Sequence, residues 1–200
     1  MDAKTQKSEL TRAAIVGAGI DLASAQGLEA ITLQAVADRI GLSKSGVFSR
    51  VGSREALQKA VIDEYGRQFL AEVFVPSMQS AKGLPRLNEI VQRWIVRTRD
   101  VEAHTGCIYS AGAFELDDRA GPLREHLYGE VTRWRSALRR SVLQAVEAGH
   151  LKPDTDPDQV VSELNSLILG LLHDARFLRD TRAPERALAT WQRLLQTYTP

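Results

Sequence analysis

Cysteine is scarce in this chain, and the scarcity limits its chemistry. Cys107 is the only cysteine among 200 residues, so no disulfide can form within the chain and a reducing compartment is expected. His104 lies three residues earlier, but a thiolate nucleophile also needs a third, orienting group. No recognised metal-ligand spacing connects the pair with Asp117 or Asp118. We therefore expect no enzyme activity, no catalytic residue, no cofactor and no metal site.

Long apolar runs are also missing. The most apolar stretch, LILGLL at residues 167–172, is far shorter than the ~20 residues that span a bilayer. The N-terminal segment MDAKTQKSEL contains no apolar stretch of signal-peptide length. These absences predict a soluble cytoplasmic protein with no membrane partner.

The chain has almost no net charge, but positive charge is concentrated locally. The net charge of the chain is +1, which does not suggest binding to a polyanion over the whole surface. Residues 39–59 alone have a net charge of +4, because Glu55 is the only acid beside Arg39, Lys44, Arg50, Arg54 and Lys59. Such a patch is expected where phosphates dock.

Apolar residues recur at helical spacing, and alternating strand patterns are rare. The pattern predicts an all-α fold of about nine helices. Predicted helices cover residues 8–26, 33–40, 43–49, 53–75, 85–103, 122–148, 158–180 and 185–198, with a further segment at 107–117. Thr32 and Ser43 are predicted N-caps, Gly41 is a predicted helix end, and Pro76 is predicted to close the helix that begins near Ser53.

Two short helices joined by a glycine turn and followed by a third helix are typical of a helix-turn-helix unit. The second short helix must enter a major groove, so it needs a polar outer face and few apolar anchors. Val47 and Val51 fit the inner face. The outer face consists of Lys44, Ser45, Ser49 and Arg50. Ser43 at the cap and Arg54 on the next helix are predicted to meet backbone phosphates.

The segment ITLQAVADRIGLSKSGVFSRVGSREAL resembles the DNA-binding domain of the TetR family of bacterial transcriptional regulators. Positions in register with the family pattern are Thr32, Ala37, Gly41, Ser43, Lys44, Phe48, Ser53, Glu55 and Leu57. The second half resembles one branch of TetR-type C-terminal domains. The resemblance implies a DNA-binding domain at residues 1–52, a linking helix at 53–75, and a ligand-binding and dimerisation domain at 76–200.

The resemblance also implies a set of DNA-contacting residues. They are Thr32, Gln34, Ser43, Lys44, Ser45, Gly46, Phe48, Ser49, Arg50 and Arg54. Phe48 stands where many members have a phosphate-binding tyrosine, so it keeps the ring without the hydroxyl. Arg50 replaces a common histidine, and Val51 replaces the phenylalanine that usually anchors the recognition helix.

In the C-terminal half the resemblance implies an effector cavity and a two-fold dimer. Candidate effector-binding residues are Trp94, Thr98, Cys107, Tyr109, Ser110, Phe114, Tyr128, Trp134, Asn165, His173 and Phe177. The helix within VSELNSLILGLLHDARF is apolar on most sides, which predicts burial against both its own bundle and a partner. Predicted dimer contacts are Leu164, Leu167, Ile168, Leu171 and Leu172, with Gly170 allowing close approach.

The sequence therefore predicts a homodimeric, effector-responsive transcriptional regulator, most simply a repressor, on a palindromic DNA operator. A rival interpretation is a small-molecule-binding or sequestering protein with a weakened DNA-binding domain, and Phe48 and Val51 keep that rival open. An all-helical enzyme is a second rival without a supporting motif. The effector, the operator and the direction of the effector response stay open.

Overall fold

The computed structural model describes residues 3–200, and within this range the chain is helical without strands, which confirms the predicted all-α class. Nine continuous α-helices and one short 3₁₀ helix, Leu28–Ala30, occur in the described part of the chain, and three of the α-helices contain a π-turn. The α-helices are numbered in chain order. They are α1 (Ala3–Gln26), α2 (Leu33–Ile40), α3 (Lys44–Val51), α4 (Arg54–Phe69, continuing through the π-turn Leu70–Phe74 to Val75–Ser77), α5 (Leu84–Arg97, then Thr98–Glu102 and Ala103–Thr105), α6 (Ile108–Glu115), α7 (Pro122–Glu147), α8 (Pro157–Leu172, then His173–Phe177) and α9 (Ala183–Tyr198). No helix in this range has the length and hydropathy required to cross a membrane.

The chain divides into two compact units. The first comprises the chain up to Arg67 together with Cys107–Glu130, and the second comprises Gln68–Gly106 and Val131–Pro200. The sequence did not anticipate that Cys107–Glu130 packs with the N-terminal residues. The boundaries predicted at residues 52 and 75 separate functional domains, which need not coincide with compact units. They stay a prediction.

The first unit holds the two short helices and their turn through local hydrogen bonds. The Thr32 hydroxyl accepts a hydrogen bond from the Ala35 amide at 3.0 Å, and the Ser43 hydroxyl accepts one from the Gly46 amide at 3.1 Å. Gly41 ends α2 at φ 68°, in the left-handed region that favours glycine. These contacts confirm the predicted caps and fix where α2 ends and α3 begins.

The core of the first unit is aliphatic. Its large, fully buried side chains are Ile15, Leu28, Ile31, Leu57, Ile62 and Ile108. Gly19 lets α1 approach α4 closely, because a Cβ atom there would lie 2.5 Å from a Val61 methyl group. Burial of this apolar surface stabilises the platform on which α2 and α3 rest.

The second unit has its own core, formed by α5, α8, α9 and parts of α4 and α7. Trp191 is 1% exposed and donates from its indole N–H to the Asn88 side-chain oxygen at 2.7 Å. Tyr198 donates from its hydroxyl to Glu163 at 2.8 Å, and burial together with this bond raises the pKa of Tyr198 to about 12.

Pro76 does not close its helix as the sequence predicted. The residue lies within the last helical turn, Val75–Ser77, directly after the π-turn Leu70–Phe74. The Val75 amide bonds to the Leu70 carbonyl, five residues back. Because this register already interrupts the regular hydrogen-bond ladder, the missing N–H of a proline is tolerated here.

Candidate DNA-binding surface

Helix α3 presents one buried anchor and a polar outer face. Val47 is completely buried, whereas Lys44, Ser45, Ser49 and Arg50 are exposed. This difference in exposure confirms the prediction that Val47 lies on the inner face of α3. Val51 is only half-buried, so it anchors the end of the helix less firmly than a buried aromatic ring would.

The serines of α3 form a local hydrogen-bonded series. Ser43 and Ser45 approach each other through their hydroxyl oxygens at 3.1 Å, and the Ser49 hydroxyl donates to the Gly46 carbonyl at 2.8 Å. Gly46 has no side chain, and its amide is bound to Ser43. The first turn of α3 is consequently ordered, small and polar, as close approach to a DNA groove requires.

The two basic residues of α3 form no ion pair with any described residue. Within the part of the chain that the structure describes, neither Lys44 nor Arg50 forms an ion pair or a side-chain hydrogen bond. Arg39 differs, because its guanidinium lies 3.3 Å from the Asp21 carboxylate. An unpaired cation on an exposed helix is available to a phosphate without first breaking an internal contact.

The other residues predicted to contact DNA differ in whether their side chains already have partners within the protein. Thr32 uses its hydroxyl as the cap of α2, and Gln34 is exposed but donates to Asp38 at 2.7 Å. Phe48 is 56% exposed, an unusual state for a phenylalanine that has no polar atom to present to water.

Arg54 makes contacts within its own unit, and its role as a phosphate clamp stays a prediction. Its guanidinium donates to the Ile31 carbonyl at 2.9 Å and to the Glu29 carbonyl at 2.6 Å, and it also pairs with the Glu29 carboxylate at 3.1 Å. These contacts direct the side chain to the segment between α1 and α2. The geometry makes Arg54 a positioning residue for that segment, because its Nε and Nη2 atoms are engaged there, while its side chain stays 44% exposed.

A carboxylate from α6 braces the same segment, and the sequence did not reveal it. Glu115 accepts hydrogen bonds from the amides of Leu28 and Glu29, both at 2.8 Å. Gly27, at φ 89°, leaves room for this carboxylate, since a Cβ atom there would lie 2.8 Å from a Glu115 oxygen. The contact spans 86 to 87 residues, so no local pattern could have indicated it.

Three of the predicted effector-binding residues come together in the second unit. Trp94 and Trp134 stack edge-to-face at 5.3 Å between ring centroids, and Thr98 is completely buried nearby on α5. The buried indole N–H of Trp134 has no hydrogen-bond partner among the described residues. Phe69 joins the ring cluster at 4.8 Å from Trp134.

Charged groups border this aromatic cluster. Arg97 lies over the Phe69 ring at 5.6 Å and forms ion pairs with Glu72 and Glu102. Glu102 is 1% exposed and accepts a hydrogen bond from Thr98 at 3.1 Å. The π-turn Thr98–Glu102 begins directly after Arg97, and π-turns are frequent at functional sites.

The other predicted effector residues do not share one enclosed environment. Phe114, Tyr128 and Phe177 are exposed at 69%, 61% and 77%. His173 is also exposed, and Asn165 is half-buried on α8. A side chain so exposed does not line a closed cavity within its own unit, so the structure gives no support to the four exposed positions as internal contacts.

Cys107, Tyr109 and Ser110 belong to the first unit and make local contacts there. The Cys107 sulfur accepts hydrogen bonds from the Ser110 amide at 3.5 Å and hydroxyl at 3.4 Å. Tyr109 donates to the Ile62 carbonyl at 3.4 Å and packs on Tyr65. The thiol therefore acts as a helix cap for α6.

Most of the predicted dimer contacts on α8 are buried within their own unit. Leu164, Ile168 and Leu171 are 0%, 4% and 3% exposed because they pack into the core of their own unit, and Leu167 and Leu172 are partly buried. The exposed face of α8 instead carries Ser162, Ser166 and Gly170 at intervals of four residues, followed by His173 and Phe177. The helical spacing of the apolar residues in α8 predicted that the helix is buried, but not which of its sides faces the core of its own unit.

These features define an all-helical protein with an N-terminal helix-turn-helix unit. The family model described as "Bacterial regulatory proteins, tetR family" matches residues 15–61, and that described as "Tetracyclin repressor-like, C-terminal domain" matches residues 83–191. The chain belongs to the TetR family of DNA-binding transcriptional regulators, which are not enzymes and which typically act as dimers responsive to small molecules.

Solved structures share the fold. A TetR regulator from Chloroflexus aurantiacus J-10-FL superimposes with a TM-score of 0.85 at 21% identity, covering 98% of this chain and 100% of that one. A TetR-family regulator from Cytophaga hutchinsonii gives 0.81 at 19% identity, covering 96% of each chain. A Saccharomonospora viridis regulator in complex with choline gives 0.75 at 13% identity, covering 96% and 99%. No curated protein sequence matched this chain.

Proposed function

We propose that the chain is a homodimeric repressor whose operator binding responds to a small molecule held in its second unit. The observation that carries the DNA-binding part is the exposed, unpaired pair of cations on α3, placed on a helix whose inner face is anchored by Val47. In this proposal Lys44 and Arg50 contact phosphates or base edges, and Ser45, Gly46 and Ser49 approach the groove floor.

The rest of the predicted set takes supporting roles. Ser43 and Thr32 order the starts of α3 and α2. Gln34 reaches the DNA backbone after its hydrogen bond to Asp38 is broken. Arg54 and Glu115 hold the segment between α1 and α2, and so fix where α2 begins. Phe48 offers its ring to sugar or thymine methyl groups, since it has no hydroxyl for a phosphate.

The proposed dimer uses the exposed face of α8. Ser162, Ser166 and Gly170 are small enough for a second α8 to approach closely, and Phe177 adds apolar area that a monomer leaves in water. A two-fold dimer places two recognition helices on half-sites about 34–36 Å apart, which corresponds to a palindromic operator.

The proposed effector region is the aromatic cluster of the second unit. Trp94, Trp134 and Phe69 supply apolar faces, and the unpartnered indole N–H of Trp134 supplies a donor for an acceptor group of the ligand. The choline complex of the Saccharomonospora viridis protein is a precedent for small-molecule binding by this fold. A differential affinity of a few kcal/mol between two conformers is enough to alter operator occupancy greatly.

The test compares DNA binding by matched charge variants. Lys44→Ala and Arg50→Ala are each expected to weaken binding to a duplex from the region flanking the gene, and to lower the salt slope by about 1 per lost phosphate contact. Arg67→Ala is the control, because this exposed arginine removes the same charge from α4 while already paired with Glu64. Equal effects of all three variants would favour the rival, a small-molecule-binding protein with a weakened DNA-binding domain.

A further inference from the structure

Three metal-ligating side chains converge in the first unit. Asp63 projects from α4, and His126 and Glu130 project from α7, one helical turn apart. Among the described residues this is the one group of three such side chains whose ligand atoms all lie within 4.8 Å of one another. His126 Nε2 and Asp63 Oδ1 are already 2.6 Å apart.

The helices are shaped to permit this convergence. Residues at positions i and i+4 share one face of a helix, so His126 and Glu130 point the same way. Gly66, one turn after Asp63, has no side chain to fill the gap; a Cβ atom there would overlap the Tyr109 hydroxyl and lie 4.0 Å from a Glu130 oxygen. The glycine therefore makes room for the Tyr109 hydroxyl beside the carboxylate of α7.

Charge and donor type favour a divalent transition metal. Two carboxylates and a neutral imidazole supply a charge of −2, which a divalent cation neutralises. One nitrogen with two oxygens suits Zn²⁺, whose bonds to such atoms are about 2.0–2.2 Å long. In a tetrahedral site those bonds separate the ligand atoms by about 3.4 Å, a spacing between the 2.6 Å pair and the 4.8 Å limit.

The site is accessible from solvent. The side chain of Asp63 is 54% exposed and that of His126 is 27% exposed. An ion can enter by displacing the hydrogen bond between the imidazole and the carboxylate, and water can complete its coordination. The spacing His-x₃-Glu is too common on helices to indicate this site from sequence, and Asp63 lies 63 residues before His126.

We infer that Asp63, His126 and Glu130 bind a divalent transition-metal ion, with Zn²⁺ as the best-fitting ion, and that the ion ties α4 to α7. Leu57, Val61 and Ile62 of α4 are fully buried in the unit that carries α2 and α3. The bound ion thus stabilises the platform of the helix-turn-helix unit. The inference goes beyond the proposed repressor function and does not depend on it.

Calorimetry on untagged, metal-free full-length protein tests the site. Titration with zinc sulfate is expected to show one ion per chain, and Co²⁺ is expected to give visible d–d absorption typical of a four- or five-coordinate site. Asp63→Asn and Glu130→Gln are expected to weaken Zn²⁺ binding at least about tenfold. Both substitutions preserve side-chain shape, and far-UV circular dichroism verifies folding.

The matched control is His173→Ala. His173 also lies beside a carboxylate, with Nδ1 3.0 Å from Asp174, but it belongs to no group of three ligands among the described residues. The variant is expected to bind Zn²⁺ as the wild type does. Absence of Zn²⁺ binding, equal binding of Mg²⁺, unchanged affinity in Glu130→Gln, or equal loss in His173→Ala would each overturn the inference.

Discussion

Removal of the Glu115 carboxylate should destabilise the protein by about 2 kcal/mol. The Glu115→Ala substitution deletes two 2.8 Å hydrogen bonds to backbone amides, and a bond to a charged group contributes about 1.5–3 kcal/mol. Leu28 is 1% exposed, so water does not readily replace the acceptor at its amide. Glu29 is exposed, and water there recovers most of the second bond.

The assay is urea unfolding followed by circular dichroism, with the melting temperature as a second readout. About 2 kcal/mol corresponds to a decrease of about 4–8 °C for a chain of this length. Glu125→Ala is the control, since Glu125 is exposed and contacts Arg124 at 3.4 Å on the surface. If Glu115→Ala lies within about 0.5 kcal/mol of that control, the bracing role of Glu115 is refuted.

Three further predictions concern the dimer face, the recognition helix and pH. Gly170→Glu should sediment as a monomer: a Cβ atom at residue 170 meets nothing within 4 Å in a single chain, so the new side chain obstructs only the proposed dimer contact. Gly129→Glu is the control, because its position is equally open, and it should stay dimeric. A dimeric Gly170→Glu would contradict the proposed dimer face. Val51→Phe should leave the melting temperature unchanged or raise it, because Val51 is only half-buried and a larger ring would bury more apolar surface. A clear decrease in melting temperature would contradict this prediction. Burial, together with the Glu163 bond, raises the folded pKa of Tyr198 to about 12 from 10.0, so the stability contributed by the neutral hydroxyl should be complete below pH 10 and fall as pH rises towards 12. Tyr198→Phe should lose this pH dependence, and the same pH profile of unfolding in Tyr198→Phe and the wild type would count against the prediction.

Local signals in the sequence predicted the helix-turn-helix unit well. Caps depend on residues three positions apart, and a left-handed turn favours glycine, so Thr32, Ser43 and Gly41 could be assigned without tertiary information. The inner position of Val47 followed from the helical period. These elements are determined by neighbours in the chain, and the structure confirms them.

Long-range contacts could not be predicted in the same way. For Arg54 the sequence did not reveal the hydrogen-bond partners of the guanidinium, which lie 23 to 25 residues earlier. For α8, a helix that is apolar on most sides fits two orientations equally, and only the packing of the second unit shows that Leu164 and Ile168 face inward. Such choices depend on the whole bundle and not on the period of one helix.

The most direct test of the central claim is the salt dependence of operator binding by the wild-type protein. Fluorescence anisotropy with duplexes tiled across the region flanking the gene should show saturable binding by two protomers per duplex. The logarithm of the binding constant should fall linearly with the logarithm of salt concentration, with a slope of about −0.9 per neutralised phosphate. Absence of binding to every fragment at low salt would contradict the account.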